Sequence, residues 1–337
     1  MTGKRSASLR VLGRAETATI LVFALVFVVP IVSDNLFVFS LLNQILIASM
    51  ASLSVYVMLR MDLLSFATPA FMAIGGYTVA IASLRGLTDV VFLTLASFVL
   101  PALVALPLGA LILRLRGTYF VLVTFVLTEI LQLILFATPN WTGGSNGIAG
   151  IPALTLFGLA LSDNRSVLYL TAGLALLAAL ITAAVMRRFH RHFAAIEENE
   201  VLAQSLGLGV WRYKLLGFAT AAGLGGIAGF ALVNMLLTAH PSSFTAVAAI
   251  DYIAYAIIGG RASMLGPVVG STILVTATNF FGGQGRYSQG LYGLLIIAVV
   301  LIAKGGIVGT IARIFHRKTP TTTDTVPDTL RAGAEGL

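Results

Sequence analysis

Ten apolar runs, most of them some 20 residues long, follow one another along the chain: 17–33, 39–59, 64–84, 90–113, 118–137, 166–186, 213–238, 247–260, 264–281 and 289–308. A bilayer core about 30 Å thick is crossed by a helix rising about 1.5 Å per residue, so roughly 20 apolar residues make one span. The run at 247–260 is short and holds Asp251, which suits a half-span or a broken helix. The pattern predicts an all-α polytopic membrane protein of about ten transmembrane segments. Composition agrees: 58% of the residues are hydrophobic and only 10% charged, against about 25% charged in soluble domains. So few charges cannot solvate a globular surface.

The formal charge is +8, and where the bases fall separates lipid from nucleic acid as the partner. With ten crossings both termini share a side. That side receives eighteen of the 21 Lys and Arg residues, and Arg85, Arg165 and Arg286 fall on the other. By the positive-inside rule both termini and the 187–214 loop are cytoplasmic. A basic balance spent this way calls for no nucleic acid. The first run ends Val29-Pro30-Ile31-Val32 without a small-x-small cleavage pattern, so we expect a retained helix rather than a signal peptide. The chain divides into a cytoplasmic tail at 1–16, a transmembrane domain at 17–309 and a largely disordered cytoplasmic tail at 310–337.

Two connections are too long to be simple links, and long loops in compact domains tend to be functional. Residues 187–214 include His192 to Leu206, free of Pro and Gly, with Gly207 placed for a helix C-terminus. This predicts a short helix outside the bilayer. Its Ile196, Ala203, Leu206 and Leu208 offer apolar contacts, and Glu197, Glu198 and Glu200 add negative charge. Such a helix fits a groove on a partner. It also suits an interfacial helix on lipid headgroups, although an anionic leaflet would repel the acidic triplet. Residues 138–165, on the periplasmic side, contain Asn140 through Gly147. Their Trp141, Thr142, Gly143, Gly144 and Asn146 are candidates for contact with a periplasmic partner, or for a surface turn anchored by an interfacial Trp.

The stretch Ala195-Ile196-Glu197-Glu198-Asn199-Glu200, with Ala203, Leu206-Gly207 and Tyr213-Lys214-Leu215, resembles the coupling loop of LivM-type permeases of bacterial branched-chain amino-acid ABC importers. Four further stretches agree in order and spacing. They are Leu64-Ser65-Phe66 through Gly75-Gly76-Tyr77-Thr78; Leu115 to Phe120 with Glu129-Ile130; Thr142 to Ile148 with Gly150-Ile151-Pro152; and Ile258 to Arg261 with Leu265 to Gly270. The resemblance covers roughly 40–309. It implies an inner-membrane half-channel paired with a second, related permease, two cytoplasmic ATPase subunits and a periplasmic substrate-binding protein. Coupling to the ATPase would run through Ala195, Ile196, Glu197, Glu198, Asn199, Glu200, Ala203 and Gly207. Cargo at family level is a branched-chain or related amino acid, or urea and short amides. Where the family's pattern has Gly-His after Ser-Phe, this chain has Ala67-Thr68-Pro69, which leaves the substrate open.

Within the spans, Glu129 is a costly charge at mid-segment, serving the pathway or pinning two helices. Thr68-Pro69 interrupts the third run, with Gly75-Gly76 two turns on. Such breaks are tolerated only where backbone groups find protein or water, and in transporters they often border the substrate path. The other reading is a packed proline kink. Ser65, Thr68, Pro69, Gly75, Gly76 and Glu129 are thus the pathway candidates. Gly225 and Gly229, and Gly266 and Gly270, have small-xxx-small spacing for close helix packing.

Enzymatic chemistry finds little support. There is no cysteine, the four histidines lack metal-ligand spacing, and no carboxylate pair is placed for acid–base work. No G-x-x-x-x-G-K-[ST] phosphate cradle occurs, so the chain is expected to carry no cofactor, ATP and Mg²⁺ being held by a partner subunit. A self-contained secondary transporter would need several intramembrane ionisable residues, and the runs offer Glu129 and Asp251.

Overall fold

The computed structural model describes residues 16–32, 34–156, 158–282, 290, 293 and 306–310. Nearly all of the expected tails and most of the tenth run lie outside these residues. The other nine runs are helical: α1 (Glu16–Ile31), α2 (Leu36–Leu59), α3 (Thr68–Leu84), α4 (Val90–Ile112), α5 (Thr118–Ala137), α6 (Asn164–Glu198), α8 (Val210–Leu236), α9 (Ala246–Gly259) and α10 (Leu265–Gly282), with the short α7 (Glu200–Ser205) between α6 and α8. Five of them, α2, α4, α5, α6 and α8, are long and apolar enough to cross a membrane. The chain is therefore a helical, multi-pass membrane protein.

Polar side chains open several helices by accepting backbone N–H groups. Asn35 caps α2, Asp89 caps α4 and Thr245 caps α9, satisfying donors that lipid could not. The short eighth run becomes α9, 14 residues long, or about 21 Å. It is preceded by a 3-10 turn at Pro241–Phe244 rather than by more helix.

At the centre lies α8, which packs on α2, α3, α4 and α6. Its apolar window is 78% buried, against 22% for the peripheral α5. Glycine makes this possible. A methyl group on Gly226 would overlap the Ser97 carbonyl and Pro101 of α4, and one on Gly229 would overlap the Met72 carbonyl of α3. Pro101 has no N–H for the Ser97 carbonyl four residues earlier, so Gly226 packs against an acceptor that its own helix leaves free. Lipid supplies no hydrophobic drive between helices, and such close approach with polar stitching replaces it. The stitches come from α2. Ser49 meets Ser271 of α10 at 2.7 Å, Ser52 donates to the Tyr252 carbonyl at 3.0 Å and Ser54 to the Ala221 carbonyl at 2.7 Å.

Contacts sort the connections into two sets. Arg60, Asp62, Arg116, Glu197, Glu200, Lys214 and Arg261 are joined by ion pairs, and Glu16 pairs with Arg187. At the other ends Asp34 pairs with Arg165, Arg85 lies over Trp141, and β1 (Ile148–Ala149) pairs antiparallel with β4 (Thr238–Ala239). Beside them the hairpin of β2 (Leu154–Leu156) and β3 (Leu159–Leu161) docks through Thr155 on Thr88.

Candidate functional site

The separate helix expected at 192–206 forms only in its second half, as α7, because residues 192–198 continue α6. α6 runs unbroken for 35 residues, about 52 Å, and overshoots a 30 Å bilayer core by several turns. The break falls at Asn199, whose backbone is extended (φ −161°, ψ 106°) and whose Oδ1 accepts the Leu202 N–H at 3.0 Å. Asn199 ends one helix and caps the next. Gly207, at φ +84°, then turns the chain towards α8, a conformation open to glycine at little cost.

Two of the three acids at this bend point into the protein. Glu197 lies between Arg60 (Nη1 to Oε2, 3.0 Å) and Arg261 (Nη2 to Oε1, 2.9 Å). Glu200 lies between Lys214 (2.8 Å) and Arg116 (3.5 Å). Arg60 follows α2, Arg116 precedes α5, Lys214 sits in the first turns of α8, and Arg261 is in the α9–α10 turn. The bend is thus tied to the ends of four parts of the membrane domain. Phe193, Ile196, Ala203 and Val210 are buried beneath it, and the His192 ring stacks on Tyr213 at 4.3 Å. Burial, reinforced by Arg60, holds the pKa of the neighbouring His190 below its ordinary value.

The outer side of the bend is different. Val201, Leu202 and Leu206 are 59, 57 and 78% exposed, beside exposed Glu198 and Asn199. Of the residues expected to couple, Ile196 and Ala203 therefore face inward and Glu198, Asn199 and Gly207 outward. The repulsion expected between the acidic triplet and a leaflet loses two of its three charges to internal pairs. The basic partners were visible in the sequence only as counts on one side. Acids among bases beside span ends were the available signal.

The pathway candidates form a second group. Thr68 and Pro69 open α3 rather than kink it, since Pro69 lies in the first turn, where its missing N–H costs nothing. Residues 63–67 ahead of them are not helical. α5 supports this stretch: Thr124 Oγ1 accepts the Phe66 N–H at 3.1 Å and Thr128 Oγ1 donates to the Phe66 carbonyl at 2.9 Å. Ser65 Oγ accepts the Ala67 N–H. Gly75 and Gly76 face α8, packed on Gly226, Gly229 and Val233. Glu129 is half-buried on α5, with no hydrogen bond or ion pair among the described residues.

In the 138–165 connection, Thr142 Oγ1 donates to the Leu135 carbonyl at 2.6 Å and accepts the Gly144 N–H. Gly143 is left-handed (φ +74°) and packed on the Gly147 carbonyl. Thr142 and Gly144 are buried, whereas Trp141 and Asn146 are exposed.

A family model described as the permease component of branched-chain amino-acid transport systems matches residues 37–303. Two curated relatives are the high-affinity branched-chain amino-acid transport system permease proteins LivM of Salmonella typhimurium and Escherichia coli. They are 31% and 30% identical over 256 residues, covering 68% of this chain in each case. The match spans 60% of each relative's length. No solved structure matches. With most of its length under that family model and two LivM proteins among its relatives, the chain belongs to the branched-chain amino-acid ABC permease family and is LivM-like.

Proposed function

We propose that this chain is the inner-membrane permease subunit of an ATP-driven importer for branched-chain or related amino acids. It spans the bacterial cytoplasmic membrane ten times with both termini inside, and forms the pathway with a second, related permease. Two cytoplasmic ATPase subunits bind and hydrolyse ATP with Mg²⁺, and a periplasmic binding protein delivers the solute. The observation that carries this reading is the α6–α7 bend, an exposed apolar ridge whose base is pinned by Glu197 and Glu200 to the ends of α2, α5, α8 and the α9–α10 turn. A push on the ridge acts on all four at once. Ala195 to Glu200, Ala203 and Gly207 supply the bend, Val201, Leu202 and Leu206 its contact. Ser65, Thr68, Pro69, Gly75, Gly76 and the unpaired Glu129 border the pathway. The exposed Trp141 and Asn146 are where the delivery protein meets this chain.

The test is Leu202→Glu with Leu206→Glu in the assembled transporter. Both side chains are exposed, so insertion should be unchanged. The ATPase subunit should no longer co-purify, and uptake should fall at least tenfold. Normal co-purification together with normal uptake would overturn the coupling assignment.

A further inference from the structure

Between α4 and α8, at the end of the bundle that carries the coupling bend, lies an open groove of about 320 Å³. Phe98, Ala102 and Leu106 line it from one face of α4, and Leu215, Leu216 and Ala219 from α8. Thr220, also in the wall, turns its hydroxyl to the Gly217 carbonyl of its own helix at 2.9 Å. Arg212 is the one charged residue of the lining. The Phe98 ring is packed on Gly223, just beyond the last α8 residue of the wall, and ends the groove there. A second crevice, of about 640 Å³, begins on the far side of that ring, and Phe98 is the only residue that lines both. From Arg212 to Thr220 the groove rises about 12 Å, close to half of a bilayer core about 30 Å thick. A partner's spanning helix needs the full thickness, whereas one acyl chain of one leaflet needs only this depth.

The charge at the open end is positive and unspent. Arg212 is exposed and makes no ion pair among the described residues. The acids of the bend are taken by other bases, Glu197 by Arg60 and Arg261, and Glu200 by Lys214 and Arg116. Arg114, two residues past the end of α4, is likewise exposed and unpaired among the described residues. Gly226 packs on Ser97 and Gly109 on Leu215, an antiparallel register that brings the end of α4 level with Arg212. α8 also begins there without a side-chain cap, so the positive end of its dipole adds to the field. A phosphodiester offers paired oxygens that suit a guanidinium. Basic sites at the ends of grooves between spanning helices select anionic lipid heads by this chemistry.

We propose that this groove binds one anionic phospholipid of the adjoining leaflet. An acyl chain lies along Ala102 and Ala219 with its end at Phe98, the phosphodiester oxygens accept from the Arg212 guanidinium, and Arg114 strengthens the attraction. Trp211, 44% exposed beside Arg212, suits the headgroup level. A head that carries its own ammonium cancels the charge that Arg212 attracts, so net charge sets the preference. The inference rests on the chain being embedded in a bilayer and not on its cargo or its coupling to an ATPase.

Dioleoyl phosphatidylglycerol is the probe, dioleoyl phosphatidylcholine the control of zero net charge, and glycerophosphoglycerol the head without its chains. Each is titrated into the detergent-purified full-length chain, and bound species are read by native mass spectrometry. One phosphatidylglycerol should be retained about fivefold more tightly than phosphatidylcholine, and the free head should not be retained. Arg212→Gln should abolish that preference. Arg188→Gln, which removes an exposed cation of α6 that does not line the groove, should leave it intact. Ala102→Phe fills the groove and should lower phosphatidylglycerol retention by at least about fivefold. Ala219→Phe does the same from the α8 side and covers the case in which the first variant fails to assemble. Equal retention of the two lipids overturns the proposal, as does equal loss from the two arginine variants. Retention of the free head as tight as that of the lipid, or lipid retention unmoved by both phenylalanine variants, overturns it too.

Discussion

Lys214 has a side chain only 4% exposed, and its ammonium lies 2.8 Å from Glu200. Placed in the first turns of an apolar helix, such a charge is tolerable only with its partner in place. Removing one member of a buried pair strands the other and costs about 3–5 kcal/mol, whereas pairs between exposed groups are worth about 0–1 kcal/mol. Glu200, at 23% exposure, sits between these limits and nearer the first, because what it would strand is deeply buried. Glu200→Gln should therefore lower stability by about 3 kcal/mol, seen as an early thermal transition of the purified chain. Arg116→Ala, removing a base 59% exposed on the other side of the same carboxylate, should change it by less than about 1 kcal/mol. Glu200→Gln combined with Lys214→Met should recover much of the loss. Equal effects of the two single substitutions would mean that the bend is not anchored through Lys214.

Among the elements, α8 carries the packing. Gly229 admits the Met72 backbone of α3, and any side chain there must push the two helices apart. Overfilling a packed interface typically costs about 1–3 kcal/mol, and a backbone-to-backbone clash has no rotamer to relieve it. Gly229→Leu should sharply reduce folded, detergent-stable protein. Gly173→Leu in α6, where nothing lies within 4 Å of the added carbon, should leave the yield unchanged. Comparable losses from both, read by size-exclusion profiles, would contradict close packing as the role of Gly229. The existence of these helices was legible because runs of about 20 apolar residues have no other solution in lipid. The Gly225/Gly229 spacing was also readable as packing. The break at Asn199 was missed for a physical reason. A stretch rich in Ala, Glu and Leu has no residue that forbids helix, and an asparagine breaks it by capping the next turn more favourably than it continues the last. The unwound 63–67 stretch was legible only as a proline interruption, because its support comes from Thr124 and Thr128, some 60 residues away. Gly75 and Gly76 were read with the Thr68-Pro69 break as pathway candidates, and their packing on α8 was not legible, since a glycine pair reads the same in both cases until its neighbour is known.

For the molecule as a whole, the internal contacts and the charge count are independent, yet they sort the connections alike. Eighteen of 21 basic residues fall on one predicted side. The ion pairs that involve Arg60, Arg116, Arg187, Lys214 and Arg261 join only connections assigned to that side. The β1–β4 pairing and the Arg85–Trp141 stack join only connections assigned to the other. A wrong number of crossings between α1 and α10 would put one of these contacts across the bilayer. The chain has no cysteine, so single cysteines report sidedness without background. Gln204→Cys, on the exposed face of α7, should react with a membrane-impermeant maleimide only in inverted vesicles. Leu159→Cys, 74% exposed at the start of β3, should react only from the outside of intact spheroplasts. Labelling of both from one side would break the odd number of crossings between β3 and α7, and with it the placement of the bend on the side opposite to the 138–165 connection. Opposite labelling makes α6 the direct connection between the two sides, running from its N-cap at Asp163 to the break at Asn199.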